Sequence, residues 1–173
     1  GVERAWAFAL SMPGVIDERT GVSHFNPNLH VTEGASLLDR LRDDLELPGC
    51  VIQEIRALAL GHRALHPDET DFLLVDADDG IGAAAVVDGQ IALAALPSAG
   101  ELGHTRVPGN DRPCGCGATG CVETLLARPG LLRSLAESVR KGAGEPSWSV
   151  LLETLASGRL PAWFERAVDA GGA

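Results

Sequence analysis

The chain has 173 residues, of which 45% are hydrophobic and 22% are charged; this is the composition of a globular domain and excludes an intrinsically disordered protein. No apolar run approaches the roughly twenty residues that a membrane helix needs, so we expect no membrane partner. The 24 acidic residues outnumber the 14 Lys and Arg residues, and the resulting net charge of −10 repels a phosphate backbone. We therefore expect DNA to be bound only through a region outside this chain.

The first fifty residues predict short strands followed by one helix. Small and bulky apolar residues alternate over Ala5–Leu10 and indicate a buried strand, and Val15-Ile16 indicates a second strand after the Pro13-Gly14 break. Leucines at helical spacing then predict a helix that begins after Ser36, its expected N-cap, and ends before Pro48-Gly49.

The next segment predicts a buried strand that runs directly into a helix. Cys50–Ile52 forms the strand, and its cysteine is expected to be a small core residue. Residues 53–65 form the helix, with Ile55, Leu58 and Ala59 expected on its inner side.

The rest of the chain predicts a hairpin and a helical tail. Phe72–Val75 is a strand, and Ala83–Val87 and Gln90–Leu93 form a hairpin through the Asp88-Gly89 turn. Helices are predicted at Val122–Ala127, Leu131–Lys141 and Ser147–Ser157, and from Pro161 onward. Strands that alternate with helices indicate an α/β domain.

Three of the four cysteines lie in one short loop. Cys114, Cys116 and Cys121 follow His104, and three thiolates with one imidazole make up the ligand set of a closed tetrahedral zinc site. Three glycines with access to positive φ are expected to let the loop fold back on itself: Gly115, Gly117 and Gly120. Four protein ligands leave no position for water, so the predicted zinc is structural. The alternative, a disulfide with a spare thiol, is disfavoured by the cramped ring that neighbouring cysteines would close.

Residues 100–123 match a longer pattern at every position. This pattern, Gly-Glu-x-Gly-His, a spacer and Cys-x-Cys-Gly-x-x-Gly-Cys-x-Glu, resembles the zinc motif of the ROK family of repressors, open reading frames and kinases. The resemblance implies an actin-like, ribonuclease-H-like α/β fold with a zinc-stapled loop. Residues 1–60 would be the end of a first lobe with its crossover helix, and residues 61–173 a second lobe with the zinc loop and a helical tail.

Two parts of the family pattern do not occur in this sequence. One is the N-terminal region, which in kinases carries an Asp-x-Gly-Gly-Thr phosphate loop and in repressors is preceded by a DNA-binding domain. The other is the set of C-terminal strands and helices. We therefore expect the fold to be incomplete in this chain.

The resemblance also implies sugar-binding residues, which are Glu101, His104 and Glu123 by motif position. A carboxylate accepts hydrogen bonds from neighbouring hydroxyls, which suits a sugar. His104 would bind zinc through one ring nitrogen and offer the other to a hydroxyl. The alternative is that the two glutamates are solvated or helix-start charges.

The segment that holds the catalytic base in family kinases is altered here. Those kinases carry Asn-Asp-x-Asn, whose aspartate deprotonates the sugar hydroxyl; this chain has Gln53, Glu54 and Arg56 at the three specified positions. Gln53 and Glu54 remain candidate sugar ligands, and Glu54 would be the catalytic base only in a kinase. Its longer side chain displaces the carboxylate by about an ångström, which costs on the order of a hundredfold in rate. The alternative for Glu54 is a salt-bridged helix residue.

The second phosphate loop departs further from the kinase pattern. Kinases of the family show Gly-Thr-Gly-Ile-Gly-x-Gly, whereas residues 78–84 read Asp-Asp-Gly-Ile-Gly-Ala-Ala. Asp78 and Asp79 would repel a polyphosphate unless a bridging metal ion screened them, and Ala84 adds a methyl group. ATP is therefore not expected as a cofactor.

These features lead to one main hypothesis and two alternatives. The main hypothesis is the sugar-sensing effector domain of a ROK-type transcriptional regulator, with zinc and without kinase activity. The alternatives are a ROK kinase that phosphorylates a hexose or amino sugar with ATP, and a zinc-stapled interaction module without a ligand. The resemblance suggests a homodimer, and clustered thiols in a metal pattern fit a reducing cytoplasm.

Overall fold

The computed structural model describes residues 5–27, 29–93, 96, 98–138, 149, 152–153 and 156–157. Its contacts divide the chain into two units: unit 1 comprises residues 1–76 and 82–101, and unit 2 comprises residues 77–81 and 102–173. The helix predicted to cross between lobes lies whole in unit 1. The predicted division into lobes at residue 60 stays a prediction.

Seven strands and four α-helices form the described chain. The strands are β1 (Phe8–Met12), β2 (Val15–Asp17), β3 (Val22–Phe25), β4 (Gly49–Gln53), β5 (Phe72–Ala77), β6 (Ile81–Val87) and β7 (Gln90–Ile91). The helices are α1 (Leu37–Leu45), α2 (Glu54–Leu65), α3 (Glu123–Leu126) and α4 (Arg128–Ser138). Short 3-10 turns occupy His30–Thr32 and Leu102–His104.

The strands form three small sheets. β1 and β4 pair in parallel with Met12 opposite Gln53, β2 and β3 pair antiparallel, and β5, β6 and β7 form a three-stranded sheet in that order. The predicted hairpin is confirmed, since Val86 lies opposite Ile91 across the Asp88-Gly89 turn. Gln53 therefore ends a strand that is buried on one face, and α2 begins at the next residue.

Two apolar clusters support unit 1. One joins the first strands to α1 through Met12, Ile16, Leu38 and Val51. The other packs α2 against the three-stranded sheet through Ile55, Ala59, Ala84 and Val86. Both form because alternate strand residues and i, i+4 helix residues present one apolar face.

The predicted start of α1 is confirmed at its cap. The hydroxyl oxygen of Ser36 accepts a hydrogen bond from the Asp39 amide at 3.3 Å, which satisfies one of the free amides of the first turn. Glu46 closes the helix in the left-handed conformation, two residues before the predicted terminator.

Several local predictions were wrong. Cys50 is exposed, because the alternation along β4 buries its neighbours Val51 and Gln53 instead. Leu58 is 44% exposed, because the buried face of α2 extends from Ile55 and Ala59 toward position 56.

Other differences concern element bounds. β1 begins at Phe8 and not at residue 5, β3 was not predicted, and α4 begins at Arg128, three residues early. The predicted helix at 147–157 lies mostly outside the described residues, and the one from residue 161 wholly outside. No helix in the described ranges has the length and apolar character to cross a membrane.

Candidate metal centre and sugar site

The cysteine loop in unit 2 is held by backbone pairing at its two ends. Isolated β-bridges join Arg106 to Cys121 and Pro113 to Thr119, and the Cys114 amide donates to the Ala118 carbonyl at 2.9 Å. These contacts fold the loop back so that its sulfur atoms converge.

Two of the three expected glycine conformations occur in this loop. Gly117 and Gly120 have φ of 84° and 81°, whereas Gly115 is not among the residues with positive φ. A Cβ at Gly120 would lie 2.5 Å from the Asn110 carbonyl oxygen, so only glycine fits there.

His104, Cys114, Cys116 and Cys121 converge on one point. Their ligand atoms lie within 4.8 Å of one another, with 3.8 Å between the Sγ atoms of Cys116 and Cys121 and 3.6 Å between Cys114 Sγ and His104 Nδ1. Tetrahedral zinc with bonds of about 2.3 Å to sulfur and 2.0 Å to nitrogen sets S···S near 3.8 Å and S···N near 3.5 Å. All four cysteines of the chain are free thiols, so the arrangement fits a metal and not a disulfide.

The surroundings of the thiols affect their ionisation differently. Burial and a hydrogen bond to Glu123 raise the pKa of Cys114, and burial also raises the pKa of Cys121. Burial opposes ionisation of Cys116 too, but the Ala118 amide and the neighbouring thiols hold its pKa below the usual value. A metal bound here would therefore have to displace protons from Cys114 and Cys121, whose pKa values are raised.

Glu123 lies directly against the cluster of His104, Cys114, Cys116 and Cys121. Its Oε1 atom accepts a hydrogen bond from Cys114 Sγ at 2.9 Å and lies 3.6 Å from His104 Nδ1. It is also the first residue of α3, so the helix-start interpretation holds alongside the contact with the cluster. Gly103 leaves room for it, because a Cβ there would lie 3.1 Å from Glu123 Oε2.

Gln53 and Glu101 meet in unit 1. Gln53 is 3% exposed, and its Nε2 donates to Glu101 Oε1 at 2.8 Å and to the Gly14 carbonyl at 3.1 Å. Because both neighbours of the nitrogen are acceptors, the amide orientation is defined. Its other atom, Oε1, is buried and has no hydrogen-bond partner among the described residues.

An ion pair next to Gln53, between a buried arginine and a half-buried glutamate, was not predicted from the sequence. Arg56 is 3% exposed, and its Nη1 lies 3.3 Å from Oε1 of Glu18. The same carboxylate oxygen accepts the Gln53 amide at 2.9 Å. The sequence did contain one indication of this pair: a cation on the buried face of α2 requires an anionic partner. It did not show which residue that partner is.

Glu54 behaves differently from Gln53. Its side chain is exposed, and no salt bridge or side-chain hydrogen bond joins it to another described residue. The salt-bridged alternative is thus not found in the described part of the chain.

The acidic turn between β5 and β6 belongs to unit 2, and Arg128 of the same unit binds its carboxylates. Arg128 Nε donates to Asp79 Oδ1 at 2.9 Å, its Nη2 contacts the same oxygen, and its Nη1 lies 3.5 Å from Asp78 Oδ1. Ala84, which adds a methyl group to the kinase pattern, is 6% exposed and packs in the core of unit 1.

Candidate site residues thus contact one another within each unit. Gln53 and Glu101 contact each other in unit 1, and His104 and Glu123 contact the thiols in unit 2.

Comparison with known proteins identifies the class of this fold. The ROK family model matches residues 2–150, so the chain belongs to the ROK family. The crystal structure of a ROK family transcriptional regulator, a homologue of the Escherichia coli Mlc protein, superposes with a TM-score of 0.74 at 24% identity, over 96% of this chain and 43% of that one. The fold is accordingly the actin-like α/β fold of that family.

Individual relatives include regulators and kinases. The DNA-binding transcriptional dual regulator NagC of Escherichia coli K12 is 29% identical over 138 residues, which is 79% of this chain and 34% of NagC. A glucokinase of Halalkalibacterium halodurans is 32% identical over 133 residues, which is 75% of this chain and 40% of the glucokinase. The chain thus spans roughly a third to two fifths of the length of these relatives.

Proposed function

We propose that this chain is the sugar-sensing part of a ROK-type transcriptional regulator that holds structural zinc and does not phosphorylate its ligand. The observation that carries the proposal is the acidic turn. Two carboxylates, bound by one arginine, stand where family kinases present glycine and threonine to a polyphosphate. A phosphate at this turn would have to displace Arg128, and it would then lie against two uncompensated carboxylates.

The metal role is assigned to His104, Cys114, Cys116 and Cys121. Their separations fit tetrahedral zinc, and four protein ligands leave no open position. Zinc bound here would fix the loop and would not activate water. Glu123 contacts this cluster, and the contact supports a fixed orientation of its carboxylate beside the metal ligands.

Sugar recognition is assigned to two sets of polar groups, each described within its own unit. In unit 1, Glu101 and Oε1 of Gln53, which has no partner among the described residues, accept hydrogen bonds from hydroxyl groups. In unit 2, Glu123 accepts a hydrogen bond from a hydroxyl group. The second ring nitrogen of a zinc-bound His104 carries a proton and donates to a hydroxyl oxygen. The relatives named as N-acetylglucosamine repressors make an amino sugar the first ligand to test.

The regulatory step would be a shift between two states. A sugar that binds one arrangement of the protein more tightly favours that arrangement, and a DNA-binding region outside this chain would read the difference. The transcriptional regulators among the relatives support this assignment.

The second candidate function is an ATP-dependent sugar kinase. It is favoured by the glucokinase relative and by Glu54, an exposed carboxylate in the first turn of α2 that could serve as a base. The longer reach of glutamate and the acidic turn argue against it.

Calorimetric titration of the full-length protein separates the two functions. N-acetylglucosamine, glucose and xylose are titrated first, then ATP with magnesium, after the zinc content is confirmed. We expect heat from one sugar and none from ATP, because Asp78 and Asp79 oppose the phosphates. ATP binding followed by sugar-dependent ADP release would instead make the protein a kinase.

A further inference from the structure

We propose that Arg56 is a positioning residue that holds Gln53 and Glu101 in the geometry needed to bind a ligand. This inference rests on the proposed sugar site. It assigns a role to a residue that departs from the asparagine of the kinase pattern.

Arg56 is too deeply buried to be a surface charge. It is 3% exposed in α2, between the apolar residues Ile55 and Ala57. Burying a guanidinium is costly unless its donors are satisfied, and a buried ion pair is weak evidence for stability alone. The role of Arg56 is therefore indicated by the groups that bind its guanidinium and by the segments to which those groups belong.

The first partner connects Arg56 to Gln53. Oε1 of Glu18 lies 3.3 Å from Arg56 Nη1 and accepts the Gln53 amide at 2.9 Å. One carboxylate oxygen thus joins the cation to the backbone at the end of β4. Arg56 orients Glu18, and Glu18 fixes the position where the strand turns into α2.

The second partner connects Arg56 to the segment that precedes Glu101. Arg56 Nη2 donates to the Leu96 carbonyl at 2.6 Å. Four residues later, the Gly100 carbonyl accepts the Ala83 amide at 2.9 Å, which anchors the chain just before Glu101. The guanidinium is therefore bound to the segments that carry both partners of the Gln53–Glu101 hydrogen bond.

The pair that is held in this way has an unused acceptor. Oε1 of Gln53 is buried without a partner in the described part of the chain, and leaving such an atom unsatisfied costs free energy. A hydroxyl or amide N–H of a ligand would satisfy it. An acceptor that is already fixed in position loses less conformational entropy when a ligand binds. Arg56 would contribute to affinity in this way.

The test uses full-length protein with Arg56→Met and Arg56→Lys. N-acetylglucosamine is titrated by calorimetry, or whichever of the three sugars the parent binds. We expect Arg56→Met to weaken binding by about tenfold or more, since hydrogen bonds to a charged group are lost, and Arg56→Lys to restore part of the affinity. Zinc content should not change. Arg40→Met is the matched control, because Arg40 is an exposed arginine of α1.

A double-mutant cycle separates positioning from general support of the fold. If Arg56 acts through Glu101, Arg56→Met should weaken binding much less in a Glu101→Gln background. Equal weakening in both backgrounds, or no weakening in either, would overturn the proposal. Should Arg56→Met fail to fold, Glu18→Gln replaces it in the same cycle.

Amide hydrogen exchange of the unliganded protein tests positioning without a sugar. We expect faster exchange at the Gln53 amide and around Glu101 in Arg56→Met than in the parent or in Arg40→Met. Unchanged exchange overturns the positioning role. If the parent binds none of the sugars, the proposed function fails, and the exchange result still decides the role of Arg56.

Discussion

The four cysteines differ in their surroundings, and this difference can be tested residue by residue. Cys116 and Cys121 are 3.8 Å apart within the metal cluster, whereas Cys50 is exposed on β4. The cluster was predictable from sequence because its ligands lie within eighteen residues and chain spacing alone brings them close. The exposure of Cys50 was not predictable, because it depends on which face of β4 is covered.

Replacing one thiol of the cluster should remove the metal. We expect Cys116→Ser to lower the zinc content from about one ion per chain to a small fraction, since serine is a poor zinc ligand and structural sites need all four groups. Cys50→Ser should retain zinc. Metal analysis of both purified variants provides the measurement; full zinc occupancy in Cys116→Ser would contradict the assignment.

Glycine has different roles in different elements of unit 1. Gly61 lies within α2, where a Cβ would meet no atom within 4 Å. Gly100 lies between β7 and Glu101 with φ of 107°, and a Cβ there would lie 2.9 Å from the Ala83 carbonyl oxygen. The first is an exposed helix position, and the second is a close approach of two backbone segments.

These two glycines should respond in opposite directions to alanine. Gly61→Ala should raise the free energy of unfolding by about 1 kcal/mol through helix propensity. Gly100→Ala should lower it by roughly 1–3 kcal/mol, because a strained φ and a backbone contact are imposed. Urea denaturation measures both changes. An unchanged free energy of unfolding in Gly100→Ala would show that the loop can relax. It would also show that the hydrogen bond from the Ala83 amide does not hold the Gly100 backbone in one position.

The helices and strands were largely predictable from the sequence. Which residues of each element are buried was less predictable. Hydrophobic periodicity predicted α1 and α2, and the Asp88-Gly89 turn predicted the hairpin, because each pattern is local. Leu58 was placed inward by the same periodicity, yet Arg56 takes the inner position with Glu18 as its partner. Periodicity counts apolar residues, so it does not detect a charge that becomes buried by pairing.

Net charge acts on the molecule as a whole. With 24 acidic and 14 basic residues, the chain carries −10 and would release few counterions from a DNA duplex. We expect this 173-residue chain to show no binding to duplex DNA by fluorescence anisotropy, at physiological or at low salt. Binding that strengthens steeply as salt falls would contradict this expectation and would indicate a basic surface that the overall charge conceals.

The sequence by itself determined the α/β class, the family and the candidate cluster of three cysteines and one histidine, because periodicity and loop spacing are properties of neighbouring residues. Only the tertiary structure showed which polar groups meet across long separations. Glu18 and Gln53 are 35 residues apart, Gln53 and Glu101 are 48 apart, and Asp79 and Arg128 are 49 apart. No local pattern specifies such pairs, since the packing of distant strands and helices brings them within hydrogen-bond distance.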